Sequence, residues 1–213
     1  MRQLRSRPDP KRLGSSIPDP EPGLGDELKF IVKTIGATLA LLWGLELADQ
    51  LVFAGGLDAF GIHPREVWGL LGILASPLLH GGFGHLSSNT VGLLVFGTLT
   101  LMWGRREFLW VTLASTLIGG LGTWLIGATG SVHIGASGVV FGYFGYVLAR
   151  GFYERKFMSI VVSLVVGVMF GSMVFGAVPG MAGPGISWEC HLFGLIGGVL
   201  VARRLQRKRE LES

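Results

Sequence analysis

His133-Ile134-Gly135-Ala136-Ser137-Gly138-Val139-Val140-Phe141-Gly142 opens an apolar run that continues through Tyr143, Tyr146 and Leu148 to Arg150, where charge returns. A serine sits between small residues at the start of this run. If the run spans a membrane, Ser137 lies inside the bilayer and not at its edge. A hydroxyl at that depth is cheap when it bonds back to its own helix. It acquires a chemical use when a base is near, and the chain holds one strong candidate far downstream. His191 also stands at the start of a glycine-rich apolar run.

Of the 213 residues 49% are hydrophobic, 35 are glycine and only 15% are charged, against about 25% charged in a typical soluble domain. So few charges cannot cover the surface of a soluble chain of this size. The expected class is therefore an all-α polytopic membrane protein with one domain. The glycine excess fits, because small residues let membrane helices pack closely. A membrane barrel would need alternating polar positions, whereas these apolar runs are continuous. The net charge of +4 does not imply a nucleic-acid partner, since the basic residues flank apolar runs and read as topology markers. The single cysteine, Cys190, excludes an internal disulfide.

Working outward from Ser137, six spans are expected, at about residues 30–53, 85–103, 108–128, 136–149, 157–178 and 190–202. Residues 1–28 are basic and proline-rich and read as a disordered tail. The six-span domain covers 29–205, and 206–213 form a short basic tail. Between the first two spans, 67–74 is too short to cross and too apolar for open water, so an interfacial segment is expected there. Lys and Arg mark the cytoplasmic side. With the N-terminus inside, 17 of the 18 basic residues fall inside: seven up to Lys33, then Arg105 and Arg106, then Arg150, Arg155 and Lys156, then five from Arg203 to Arg209. Only Arg65 falls outside. Both termini are thus expected in the cytoplasm.

Depth follows from helix geometry. Ser137 is thirteen residues from Arg150 and His191 is twelve from Arg203. At about 1.5 Å of rise per residue both lie roughly 18 to 20 Å above the inner boundary. A nucleophilic serine needs a base within reach and donors for a developing oxyanion. His85 and Asn89, four apart at the outer end of the second span, stack on one helix face, and both can donate hydrogen bonds.

Other readings of the same residues are weaker. Taken alone, Ser137 is a small packing residue and Asn89 is interhelical glue, whereas an imidazole inside a span marks function by default. All five histidines fall on the outer side, but His80 and His85 are five apart and no carboxylate has ligand spacing to them, so no metal is expected. Cys190 is a poor nucleophile for His191, because adjacent residues do not face each other on a helix. Glu189 could orient His191 only from outside the helix face, which favours a dyad without a carboxylate.

In this order on six spans, His80-x4-His85-x3-Asn89, Gly135-Ala136-Ser137-Gly138 and His191-x2-Gly194-x3-Gly198 resemble the rhomboid intramembrane serine proteases. The resemblance covers about residues 54–202. It implies a six-helix rhomboid-like bundle with Ser137 as nucleophile and His191 as general base and acid. It implies an oxyanion hole made by the Ser137 backbone N–H with His85 and Asn89. It also implies cleavage of a transmembrane helix near its outer end, and neither metal nor organic cofactor. Two positions depart from the family pattern. Trp68 is followed by Gly69 where the family often has arginine, and Phe141 stands where many members have tyrosine.

Gly138 and Gly142, and Gly194 and Gly198, are each four apart. Facing small residues would bring the fourth and sixth spans together just below Ser137 and His191. Three functions compete: an active intramembrane protease, a rhomboid-like protein that binds transmembrane clients without cleaving them, and a small channel or transporter. The intact Ser137 and His191 favour the first over the second. The absence of acidic residues in spans two to five counts against a proton or cation path. The partners expected are transmembrane proteins and the lipid bilayer itself. The compact layout suggests a bacterial plasma membrane.

Overall fold

A computed structural model describes residues 23–212. Six long helical segments follow one another among them. Helix α1, Leu24–Ala48, runs on through a π-helical turn, Asp49–Phe53. Helix α2, Phe83–Trp103, contains a π-helical turn at Leu93–Gly97. Helix α3 is Arg105–Ile126 and α4 is Ser137–Glu154. Helix α5, Phe157–Ala177, tightens to a 3₁₀ coil over Gly171–Ala177. Helix α6 is Trp188–Glu212.

Four of these, α1 with its π turn, α2, α3 and α5, are long and apolar enough to cross a membrane. The chain is accordingly a multi-pass membrane protein. Helices α4 and α6 fall outside that group because of their composition. Helix α4 mixes three glycines and two tyrosines into its apolar run before Arg150, and α6 carries Glu189, Arg203 and Arg204 around its apolar centre. Their position explains why they tolerate this. Every residue of α4 from Gly138 to Val147 is buried, so α4 faces other helices and not lipid. Helix α5 does the reverse, leaving Met158, Leu164, Val168 and Met169 exposed.

Helix α4 packs on α6 through glycine. A methyl group added to Gly194 would overlap the Gly138 carbonyl, and one added to Gly198 would overlap the Gly142 carbonyl. Lipid tails are as apolar as leucine, so close backbone contact is what remains to hold membrane helices together. Around this seam Phe96 of α2 sets its ring 5.3 Å from Phe144 and 5.1 Å from Phe170, joining α2, α4 and α5. At the opposite end from Ser137, Glu154 pairs with Arg150 at 2.7 Å, and Arg209 pairs with Glu107 at 2.6 Å and with Glu154 at 3.4 Å, which ties α3, α4 and α6.

The connection before α2 is anchored to the end of α3. The Arg65 backbone N–H donates to the Trp124 carbonyl at 3.0 Å, its guanidinium donates to the Leu125 carbonyl at 3.1 Å, and Trp124 Nε1 donates to the Glu66 carbonyl at 2.8 Å. The Trp68 ring rests on His63 at 3.8 Å, and Gly69 lies against the His63 backbone. With Gly69 in the family's arginine position, the loop is thus held by Arg65, Trp68 and Trp124. Its short apolar helix, Trp68–Leu78, exposes Leu71 and Leu74.

Two boundaries differ from the expectation. Helix α1 starts at Leu24, inside the stretch 1–28 read as a tail; residues 1–22 lie outside the described residues. Asp26 and Glu27 stand in its first turn, where carboxylates complement the helix dipole. Helix α6 runs past the sixth span expected at about 190–202 and continues to Glu212, with Lys208 and Glu212 paired one turn apart at 3.4 Å.

Candidate active site

The loop before α4 is fixed from one side by the long connection. His133 and Ile62 exchange backbone hydrogen bonds at 2.9 and 3.0 Å, and the Gly135 N–H donates to the Ser76 carbonyl at 2.8 Å. Gly135 has φ of 113°, which a side chain would resist. The Ala136 N–H then donates to His80 Nε2 at 3.3 Å. Burial, helped by the neighbouring His85, pushes the His80 pKa down to about 4, so its ring is neutral and able to accept. Helix α4 begins at the next residue. Its first internal bond runs from Val140 to Ala136, which leaves the Ser137 N–H without a helical acceptor.

Ser137 Oγ and His191 Nε2 are 2.8 Å apart, across 54 positions of sequence. The other ring nitrogen, Nδ1, lies 2.9 Å from the Gly176 carbonyl. A carbonyl only accepts, so Nδ1 carries the proton and Nε2 offers its lone pair to the serine hydroxyl. The Phe141 ring is stacked on the imidazole at 4.0 Å and 10°. Where a tyrosine would offer a hydroxyl, orientation here comes from that stacking and from Gly176. Glu189 turns to Ser187 Oγ, 3.3 Å away, and not to His191.

His85 and Asn89 sit on α2 facing the same point. A methyl group on Gly135 would stand 2.6 Å from His85 Nε2 and 3.5 Å from Asn89 Nδ2. Asn89 is 4% exposed, and its Nδ2 has no partner among the described residues. Ser137, His191, His85 and Asn89 all line one cavity of about 740 Å³. Cys190 does not; its sulfur is directed at Gly138. No group of three His, Cys, Asp or Glu among the described residues stands close enough to hold a metal ion.

Sequence reasoning missed a second layer. His133 Nδ1 lies 2.7 Å from Ser187 Oγ and its Nε2 lies 2.7 Å from Ser131 Oγ. His133 precedes Ser137 by one helical turn and Ser187 precedes His191 by the same step. That matched spacing was a usable signal. The Gly176 carbonyl left none, because a backbone acceptor has no residue type.

A family model for the Rhomboid domain matches residues 64–208. An uncharacterized protein of Mycobacterium tuberculosis is 44% identical over 176 residues, covering 79% of this chain and 72% of its own. YdcA of Bacillus subtilis is 33% identical over 186 residues, covering 84% of this chain and 90% of its own. The rhomboid protease GluP of Bacillus subtilis is 31% identical over 165 residues, 74% of this chain and 30% of its own. A model match over most of the chain, joined to relatives of this identity and coverage, places the chain in the rhomboid family.

Proposed function

We propose that the chain is an intramembrane serine endopeptidase that cleaves transmembrane-helix substrates near the outer membrane face through a Ser137–His191 dyad. The observation that carries this reading is the 2.8 Å contact between Ser137 Oγ and His191 Nε2 inside a cavity shared with His85 and Asn89. A cavity that only holds clients has no use for a base on its serine. In the proposed reaction, Ser137 Oγ attacks the scissile carbonyl carbon while its proton passes to His191 Nε2. The Ser137 N–H, His85 and Asn89 Nδ2 receive the oxyanion. Collapse of the intermediate breaks the C–N bond, and His191 returns the proton to the leaving amine. Water then hydrolyses the acyl-enzyme by the same steps. No metal or organic cofactor takes part.

The reading carries a topology with it: six spans, α4 and α6 included, both termini in the cytoplasm, a domain over 29–205, and residence in a bacterial plasma membrane. Supporting it, Arg150, Glu154, Glu107 and Arg209 gather at the end away from Ser137. Cysteines placed at residues 131 and 155 should label from opposite sides; labelling from one side would refute this topology. The activity itself is tested by labelling the purified protein with a fluorophosphonate. Ser137 should be modified, and the Ser137→Ala variant should not react.

A further inference from the structure

On the side of α3 and α6 away from the cavity lies an open groove of about 1010 Å³. One wall is a single stripe of α3, Arg106, Trp110, Ala114 and Ile118, each four residues from the last. The other is the face of α6 that bears Leu200, Arg203, Arg204 and Arg207. The two walls share one polarity. Their cations stand together at one end, and from there the apolar stripe runs from Trp110 to Ile118 over about 12 Å.

Arginines 203 and 207 are one turn apart, as are 204 and 207, and like charges at this spacing repel. Other cations nearby have carboxylates: Lys208 pairs with Glu212, and Arg209 turns to Glu107 and Glu154. Arg106, Arg203, Arg204 and Arg207 pair with no carboxylate among the described residues. A bound anion would relieve that repulsion. The apolar length indicates what the anion is attached to. One leaflet of hydrocarbon is about 15 Å deep, so an acyl chain lying along Trp110, Ala114 and Ile118 fits the stripe while its phosphate meets the arginines. A free phosphate would use only the charged end.

We propose that this groove binds one anionic phospholipid, its headgroup phosphate among Arg106, Arg203, Arg204 and Arg207 and an acyl chain against α3. Basic residues at a helix end also serve as topology markers. That role needs neither a carboxylate-free stripe nor a groove continuing into the bilayer.

Native mass spectrometry of the full chain in detergent, titrated with phosphatidylglycerol or phosphatidylcholine of identical acyl chains, tests the proposal. Phosphatidylglycerol should be retained at least roughly tenfold more tightly. Replacing Arg203, Arg204 and Arg207 by Gln together should weaken it about a hundredfold, since each near-surface cation contributes roughly fivefold. Removing three cations elsewhere (Lys29→Gln, Arg155→Gln, Lys156→Gln) should leave retention unchanged. Ala114→Trp, which fills the trough, should weaken lipid binding without touching a charge. Arg204→Gln alone, expected to cost about fivefold, decides the matter if the triple variant does not fold. Equal retention of the two lipids, an unchanged Arg204→Gln, or displacement by excess inorganic phosphate would overturn the proposal.

Discussion

Gly198 packs directly on the carbonyl of Gly142, with no room between them for a methyl group. One turn closer to the cavity, Gly194 meets the Gly138 carbonyl in the same way. The spacing of α4 and α6 is therefore set by backbone on backbone. Ser137 and His191 stand at the upper end of this seam, so their separation depends on it. Gly198→Leu should remove cleavage while leaving both side chains chemically intact. Overpacking a filled site typically costs about 1–3 kcal/mol, and here the obstacle is backbone, which has nowhere to move. On α5, a methyl group at Gly167 would meet only Leu148, at an ordinary 3.7 Å, so Gly167→Leu should be much milder. Cleavage rates and thermal midpoints of the two variants decide it. Parental activity in Gly198→Leu would remove the seam from the account.

His133 should matter without touching substrate chemistry. Ser131 Oγ donates to the Ala128 carbonyl at 2.6 Å, so it accepts from His133 Nε2–H, and His133 Nδ1 is left to accept from Ser187. The ring thereby ties the loop before Ser137 to the start of α6. His133→Ala releases Ser187 to Glu189, 3.3 Å away, and lets α6 shift against the loop. The expected result is a turnover roughly tenfold lower with KM little changed, because a small misplacement of reacting groups is costly. His133→Gln can keep one of the two bonds and should recover part of the rate. A KM effect alone, or identical behaviour of Ala and Gln, would rule out a positioning role.

Why the meeting of Ser137 with His191 was legible and its supports were not follows from geometry. The rise of a helix converts the distances from Ser137 to Arg150 and from His191 to Arg203 into depths, and the two depths agree. Glycines at a spacing of four announced the seam for the same reason. His80, by contrast, acts through a bond to the Ala136 N–H that depends on the path of the connection, and no period encodes that path. Hydropathy also misleads for α4. Tyrosines and glycines make it less apolar, because from Gly138 to Val147 it is buried among other helices and has no lipid to face.

Acid should weaken the fold through His80. Its pKa is about 4 in the folded protein and near the ordinary 6.5 when unfolded. The unfolded chain therefore takes up the proton first as pH falls. Stability contributed by the neutral ring is complete above about 6.5 and is lost on the way down to about 4, at up to about 1.4 kcal/mol per pH unit. Asp58 works in the opposite sense: burial and the charges of Asp49 and Glu46 raise it to about 6. Its contribution cancels when parent and His80→Gln are compared. Melting midpoints between pH 7 and 4.5 should fall more steeply for the parent than for His80→Gln. Parallel curves would mean that His80 is not held neutral.

The mechanism makes the sharpest prediction. Ser137→Ala and His191→Ala should each remove detectable cleavage of a reconstituted transmembrane substrate, and the double variant should be no worse, because groups that act as one unit are not additive. His85→Ala and Asn89→Ala should slow cleavage without abolishing it. Losing one oxyanion donor typically costs about 100- to 1,000-fold in turnover while the others persist. The unpartnered Asn89 Nδ2 makes its loss the cleaner test, since no hydrogen bond from that nitrogen to the described residues disappears with it. Cys190→Ala should cleave nearly as well as the parent, its sulfur being turned toward Gly138 and away from the cavity. Cleavage that survives Ser137→Ala but is lost in Cys190→Ala would overturn the serine dyad. Silence toward every substrate, with Ser137 unreactive to fluorophosphonate, would point instead to a protein that holds transmembrane clients in the same cavity without cutting them.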